Sequence, residues 1–196
     1  MGRALSDRLS NLWWEVRLGV STRGVVPVDV ADSHCCATAE YSLIEMALTF
    51  LGLTDSDTFV DVGCGKGRVV CMAARYPVRA VIGVDLSAEF CAMARANADR
   101  MRGRRAPVTI ETCWAQRYDY SAATALYLFD PFGPDTLSAV LGKVAEDTRG
   151  NAVRIAYVNP TYAAVFDGQP WLERYELWPK ADTGLEHSVA FYRTGM

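Results

Sequence analysis

The chain has 196 residues, of which 51% are hydrophobic, 11% aromatic and 22% charged. That is the usage of one globular domain with a terminal extension, and it excludes a disordered tail, a collagen and a coiled-coil rod. The formal net charge of −3, from 20 basic and 23 acidic residues, argues against holding nucleic acid by phosphate neutralisation.

Ala4 to Leu18 reads as a helix, with Leu5, Leu9, Leu12 and Val16 on one apolar stripe, Trp13 beside it and Gly19 as its stop. Trp13 and Trp14 are assigned to core packing of this helix rather than to a lid. Asp7, Glu15 and several arginines interrupt any secretory signal. The myristoylation-like start Met1-Gly2-Arg3-Ala4-Leu5-Ser6 is short enough to be a chance match. Ser21 to Thr38 reads as a loop. Within it His34, Cys35 and Cys36 are adjacent, but neighbours in an extended chain point apart and no second ligand pair has suitable spacing, so no metal is expected. Reduced, buried cysteines in a cytoplasmic protein fit better. Thr38 to Leu51 is helical again, with Leu43, Ala47 and Phe50 at core spacing.

The pattern then alternates. Strands are predicted at Thr58–Val62, Ala80–Asp85, Pro107–Thr112, Ala125–Phe129 and Ala152–Val158. Helices between them run from Arg68 to Arg75, from Ala88 to Met101 with Ser87 as cap, and from Asp135 to Asp147. After a short helix, Trp171–Trp178 and Ser188–Arg193 close the chain as a hairpin. Alternating strands and helices mean a parallel sheet covered on both faces. The expected fold is therefore α/β: a Rossmann-like, doubly wound, mainly parallel seven-stranded sheet with an antiparallel edge strand and N-terminal helices. Residues 1–55 form a helical cap or extension and residues 56–196 the main domain, in one compact unit. The basic run Arg100, Arg102, Arg104 and Arg105 reads as a solvated loop.

Chemistry concentrates at strand ends. Asp61-Val62-Gly63-Cys64-Gly65-Lys66-Gly67 sits where the first strand turns into a helix, and glycine there lets the backbone approach a ligand. Asp85 ends the second strand, where a carboxylate can accept hydrogen bonds from two ribose hydroxyls. A glycine turn plus a ribose acid means a nucleoside-containing ligand. The spacing departs from the dinucleotide fingerprint, because Arg68 stands where its third glycine belongs. A phosphate loop fails as well, since Lys66 is not followed by Ser or Thr. Asp61 suits a cationic amino or sulfonium group, and S-adenosylmethionine carries both.

Asp61 to Gly67 resembles the first motif of class I S-adenosylmethionine-dependent methyltransferases, and Val81 to Asp85 the second. Phe129-Asp130-Pro131-Phe132 resembles the Asn/Asp-Pro-Pro-Tyr/Phe motif of many amino-group methyltransferases. The similarity covers Thr38 to about Pro160. It implies an enzyme whose backbone at Gly63, Cys64, Gly65 and Gly67 wraps the methionine part of S-adenosylmethionine, with Asp61 near its amino group. Asp85 would hold the ribose and Leu86 would pack on adenine. Asp130 and Pro131 would lie beside the methyl and the acceptor atom, with Asp130 as the catalytic group. Tyr41, Phe132 and Asn159 would meet the substrate. The family often places an acid after the third strand; here Trp114 stands in that segment and is assigned to stacking on adenine. The expected reaction is in-line methyl transfer to a nitrogen or oxygen of a small metabolite. The alternative is a protein lysine N-methyltransferase, ahead of a nucleic-acid methyltransferase or a non-catalytic cofactor-binding protein. No membrane partner is expected. Lys66 reads as a solvated loop lysine and His187 as structural.

Overall fold

A computed structural model describes residues 2–24, 38–180 and 186–195, with the side chains of residues 2–8 outside the description. The His34, Cys35 and Cys36 cluster lies outside the described residues. Five short segments become parallel strands: β1 (Thr58–Val62), β2 (Ala80–Asp85), β3 (Val108–Thr112), β4 (Ala125–Phe129) and β5 (Arg154–Val158). Every residue of β1 is buried, as expected of a central strand covered on both faces. β6 (Leu172–Trp178) and β7 (Val189–Thr194) form the closing hairpin, with an irregularity between Arg174 and Glu176.

The seven strands lie in the order β3-β2-β1-β4-β5-β7-β6. β7 alone runs against its neighbours, antiparallel to both β5 and β6. The reversed strand therefore sits one place in from the edge, and β6 forms the edge itself. The chain moves outward from β1 to β3, then returns to place β4 on the other side of β1. Such a reversal opens a crevice at the carboxyl ends of the two central strands.

One face of the sheet is covered by α1 (Gly2–Leu18), α2 (Tyr41–Phe50), α3 (Arg68–Ala73) and α4 (Ala88–Arg100). The other is covered by α5 (Pro134–Asp147) and α6 (Ala163–Asp167). The anticipated core residues Leu43 and Ala47 are fully buried. Phe50 is 40% exposed but still meets the rings of Tyr175, Trp178 and Phe191 at 5.9, 4.9 and 4.5 Å.

The orientation of α1 corrects the sequence reading. Leu9, Leu12 and Val16 face outward, as does Trp13, which is 53% exposed. The inward face is Asn11, Trp14, Glu15 and Leu18, at the same helical spacing but one position round. Polar contacts set this rotation. The Asn11 side-chain oxygen accepts from the Tyr41 amide at 3.2 Å, and Glu15 is buried among donors. Two polar residues on the buried face hide it from a hydrophobic periodicity.

At the amino-terminal end of the sheet, Asp57 precedes β1 and staples several elements. It accepts from the Thr54 amide and hydroxyl at 2.7 and 2.9 Å and from the Thr124 hydroxyl at 2.6 Å, and it pairs with Arg154. Burial alone would raise its pKa, but the bonds from Thr124, Arg154 and Thr54 outweigh burial and hold it at about 2. A carboxyl depressed on folding stabilises above its unfolded pKa of about 3.9, and the contribution is lost as pH falls through the folded value. Asp57→Asn should cost about 2 kcal/mol at pH 7. In denaturant titrations the gap from wild type should stay constant above about pH 5 and shrink from there toward pH 2.

Candidate active site

The turn after β1 carries its geometry in two glycines. Gly63 has φ +81°, and a Cβ there would stand 2.8 Å from Pro131 Cβ. Gly67, at φ +78°, caps α3, and a Cβ would meet Ala94 Cβ at 3.0 Å and Cα at 3.2 Å. Both the positive φ and the close approach require the missing side chain. The amides of Gly63 and Cys64 donate to the Val84 carbonyl at 2.8 and 3.0 Å, fastening the turn to β2. Cys64 is buried, and burial, with Asp61 and Asp85 nearby, pushes its thiol well up, so it is not a nucleophile.

Asp85 ends β2 beside this turn. Its Oδ2 accepts from the Gly65 amide at 2.8 Å and its Oδ1 from the Ser87 amide at 2.9 Å. Burial raises its pKa against the pull of these bonds. A carboxylate has about four lone-pair sites, so the group that shapes the loop keeps capacity for further donors. Leu86 follows it, half-buried. The Cys113 amide donates to the Asp85 carbonyl at 3.0 Å, which starts the turn bearing Trp114 next to the end of β2. Trp114 is 41% exposed.

Between the glycine turn and β4 lies a cleft of about 340 Å³ counting its open mouth. Asp61 and Tyr127 line its floor, Phe129 one side, and Thr38, Ala39 and Arg68 the other. Asp61 is 3% exposed, and its Oδ2 has no hydrogen-bond partner among the described residues. Burial first, and then the Asp85 charge, hold its pKa well above the ordinary carboxylate range. A buried carboxylate of this kind is completed by a cationic donor. Tyr127, which the sequence reading passed over as an interior strand residue, is fully buried with its hydroxyl equally unpaired.

The wall opposite β4 comes from the amino-terminal segment. Arg68 is 4% exposed; it donates to the Thr22 hydroxyl and to the Ala39 carbonyl, each at 2.8 Å, and lies 3.7 Å from Glu15. Its guanidinium stands 4.5 Å above the Tyr41 ring. Glu15 also accepts from the Thr22 amide and hydroxyl at 2.8 and 2.9 Å and from Arg23 at 2.6 Å. Asn97 donates to the Ser21 and Lys66 carbonyls at 3.0 and 2.8 Å, so residues 21–24 form a strap over the glycine loop.

This wall changes two assignments. Lys66 is buried, donating to the Arg23 and Gly24 carbonyls at 2.9 and 3.2 Å, because the strap's carbonyls replace its water. Tyr41 is fully buried, stacked on Trp14 at 5.9 Å with its hydroxyl 3.1 Å from Thr22, and it supports Arg68 from behind rather than facing the cleft.

Across the mouth, Asp130 ends β4 with φ +38° and Asn159 follows β5 with φ +51°. Asp130 Oδ1 accepts from the Tyr157 hydroxyl at 3.0 Å; its Oδ2 accepts from Asn159 Nδ2 at 3.0 Å and from the Thr161 hydroxyl at 2.7 Å. Asn159 thus helps to fix Asp130 at the mouth of the cleft. Tyr157 and Thr161 were not legible as site residues, since one reads as core and the other as a turn. Phe132 packs on the α5 side of the sheet, partly buried. His187, beside the start of β7, stands edge-on to Phe129 at 4.9 Å. Burial lowers its pKa, with Glu186 and Asp130 opposing and Lys180 reinforcing. Among the described residues no group of three or more His, Cys, Asp or Glu is placed to hold a metal.

Comparisons with known proteins agree with this geometry. Residues 59–149 match the family described as a methyltransferase domain. Solved structures share the fold at low identity. An RNA methyltransferase from Salinibacter ruber, in complex with S-adenosylhomocysteine, is 19% identical with a TM-score of 0.58, over 81% of this chain and 92% of that one. An S-adenosylmethionine-dependent O-methyltransferase from Thermotoga maritima is 19% identical with a TM-score of 0.61, over 81% and 67%. A magnesium protoporphyrin IX methyltransferase from Synechocystis, with bound S-adenosylmethionine, is 15% identical with a TM-score of 0.59, over 79% of each chain. No curated protein matches. The fold is thus the Rossmann-like fold of these methyltransferases, and the family match falls on the part of the chain that carries the glycine turn, Asp85 and Asp130.

The wall yields a stability test. Glu15→Ala would leave the Arg68 charge buried without its counter-ion and should cost about 3–5 kcal/mol in urea unfolding. Val16→Ser, on the outward face of α1, should stay within about 0.5 kcal/mol of wild type.

Proposed function

We propose that the protein transfers a methyl group from S-adenosylmethionine to a nitrogen, or an oxygen, of a small metabolite. The observation that carries this reading is how the amino-terminal segment is used. Glu15, Thr22 and Ala39 hold Arg68 beside the glycine loop, so the amino-terminal segment lines one side of the cleft and suits a cap over a small substrate. On this reading residues 1–55 are the cap of a catalytic domain at 56–196. The net charge of −3 supports a substrate other than nucleic acid. The free thiols of Cys64, Cys71, Cys91 and Cys113 suit the cytoplasm, and no described helix is long and apolar enough to cross a membrane.

The residues present suit the cofactor. Asp61, with an unpaired buried oxygen, would accept from its amino group, and the backbone from Gly63 to Gly67 would border its methionine part. Asp85 would take the ribose hydroxyls, with Leu86 and Trp114 flanking the adenine. When bound, S-adenosylmethionine supplies a methyl group activated on a sulfonium.

Asp130 orients the acceptor. Tyr157, Asn159 and Thr161 donate to its carboxylate and fix its direction at the cleft mouth, where it would meet an N–H or O–H of the substrate. Together with the Pro131 carbonyl it aims the acceptor's lone pair into the cleft, and the gain is one of alignment.

Incubation with methyl-labelled S-adenosylmethionine and source-cell extract should place label in the small-molecule fraction. Label on protein would overturn the metabolite reading in favour of lysine methylation. Asp130→Ala should lower transfer by about 10²-fold and leave affinity for S-adenosylhomocysteine within about twofold, because Asp130 holds the acceptor rather than the cofactor. Asp85→Ala should weaken that affinity about tenfold in calorimetry; an unchanged value would remove Asp85 from the ribose site.

A further inference from the structure

Among the described residues, three buried side-chain polar atoms lack a hydrogen bond. Trp171 Nε1 precedes β6, well along the sheet from the glycine turn. The other two, Asp61 Oδ2 and the Tyr127 hydroxyl, both belong to the floor of the cleft. They are direct neighbours, since β1 and β4 pair in parallel with Asp61 opposite Tyr127. Their side chains therefore leave the same face of the sheet, toward the glycine turn and Arg68.

Packing gives no reason for the Tyr127 hydroxyl. Its ring belongs to the apolar core beneath α2 and α3, where a phenylalanine would make the same contacts. An unbonded hydroxyl in such a place destabilises the fold. A polar atom left unpaired at the base of a cleft calls for an explanation, and a bound ligand supplies one. The pairing also has a sense. Asp61 can only accept when ionised, and a phenol donates. Side by side, with the Arg68 guanidinium lining the same cleft, they present an acceptor for a cation next to a donor for an anion.

We propose that the Tyr127 hydroxyl donates to the α-carboxylate of the cofactor, beside the α-ammonium assigned above to Asp61. Tyr127 is thus a further cofactor-binding residue, contributed by a strand interior rather than by a loop. It makes the site selective for adenosyl ligands that carry an amino-acid tail. This rests on the assignment of the cleft to S-adenosylmethionine.

Two ligands separate the tail from the rest. S-adenosylhomocysteine has it; 5′-methylthioadenosine shares the adenosine and thioether but lacks it. In calorimetry Tyr127→Phe should bind S-adenosylhomocysteine about tenfold more weakly and methylthioadenosine within about twofold of wild type. Without ligand, its thermal midpoint should equal or exceed that of wild type, since an unbonded polar atom has been removed. Equal loss for both ligands, no loss for either, or a lower ligand-free midpoint would overturn the proposal and assign Tyr127 to packing. If wild-type protein bound neither ligand, the cofactor assignment would fail first, a result distinct from any behaviour of the variant.

Discussion

A guanidinium held almost without water is the constraint on which the site depends. Arg68 begins α3 directly after the glycine turn, yet its hydrogen bonds reach Thr22 and Ala39, and its counter-charge is Glu15 on α1. A buried cation without these partners would be costly. Its presence therefore dictates where α1, the strap at residues 21–24 and the start of α2 must lie. Tyr41 and Trp14 stack beneath it, and the Asn97 amide stitches the strap to α4. The segment before β1 is thereby made part of the wall of the cleft.

The two ends of the sheet are finished differently. At the amino-terminal end Asp57 has its partners in Thr54, Thr124 and Arg154, and the bonds there depress its pKa. At the carboxyl end Asp61 and Tyr127 are left incomplete, and burial moves both away from their charged forms. One end uses its polar groups to hold the fold, the other reserves them for what enters. Between these extremes, Asp130 at the cleft mouth is held by the side chains of Tyr157, Asn159 and Thr161.

The sequence made the centre of the sheet legible because β1, β2, β4 and β5 are mostly apolar runs. The spans of β1, β2 and β4 match their expected limits. Asp61 and Asp85 stood out as acids at the ends of such runs. What escaped was decided by tertiary contacts. The rotation of α1 follows Asn11 and Glu15, polar residues on its buried face. Lys66 looked solvated because the strap covering its loop comes from more than forty residues earlier in the chain. Tyr127 was indistinguishable from a core residue, and only its place beside Asp61 in the register shows otherwise. Tyr157 and Thr161 acquire meaning through Asp130, to which no local pattern connects them.

The placement of β1 next to β4 also bears on how the chain is made. β1, β2 and β3 emerge from synthesis first and can pair among themselves, but β1 then keeps an open edge until β4 arrives. That edge belongs to a strand buried along its whole length, the kind of surface that captures other chains when left unpaired. Insertion of β4 covers the edge and, in the same event, brings Tyr127 beside Asp61. The nascent chain thus covers the edge of β1 and acquires the floor of its cleft in a single step.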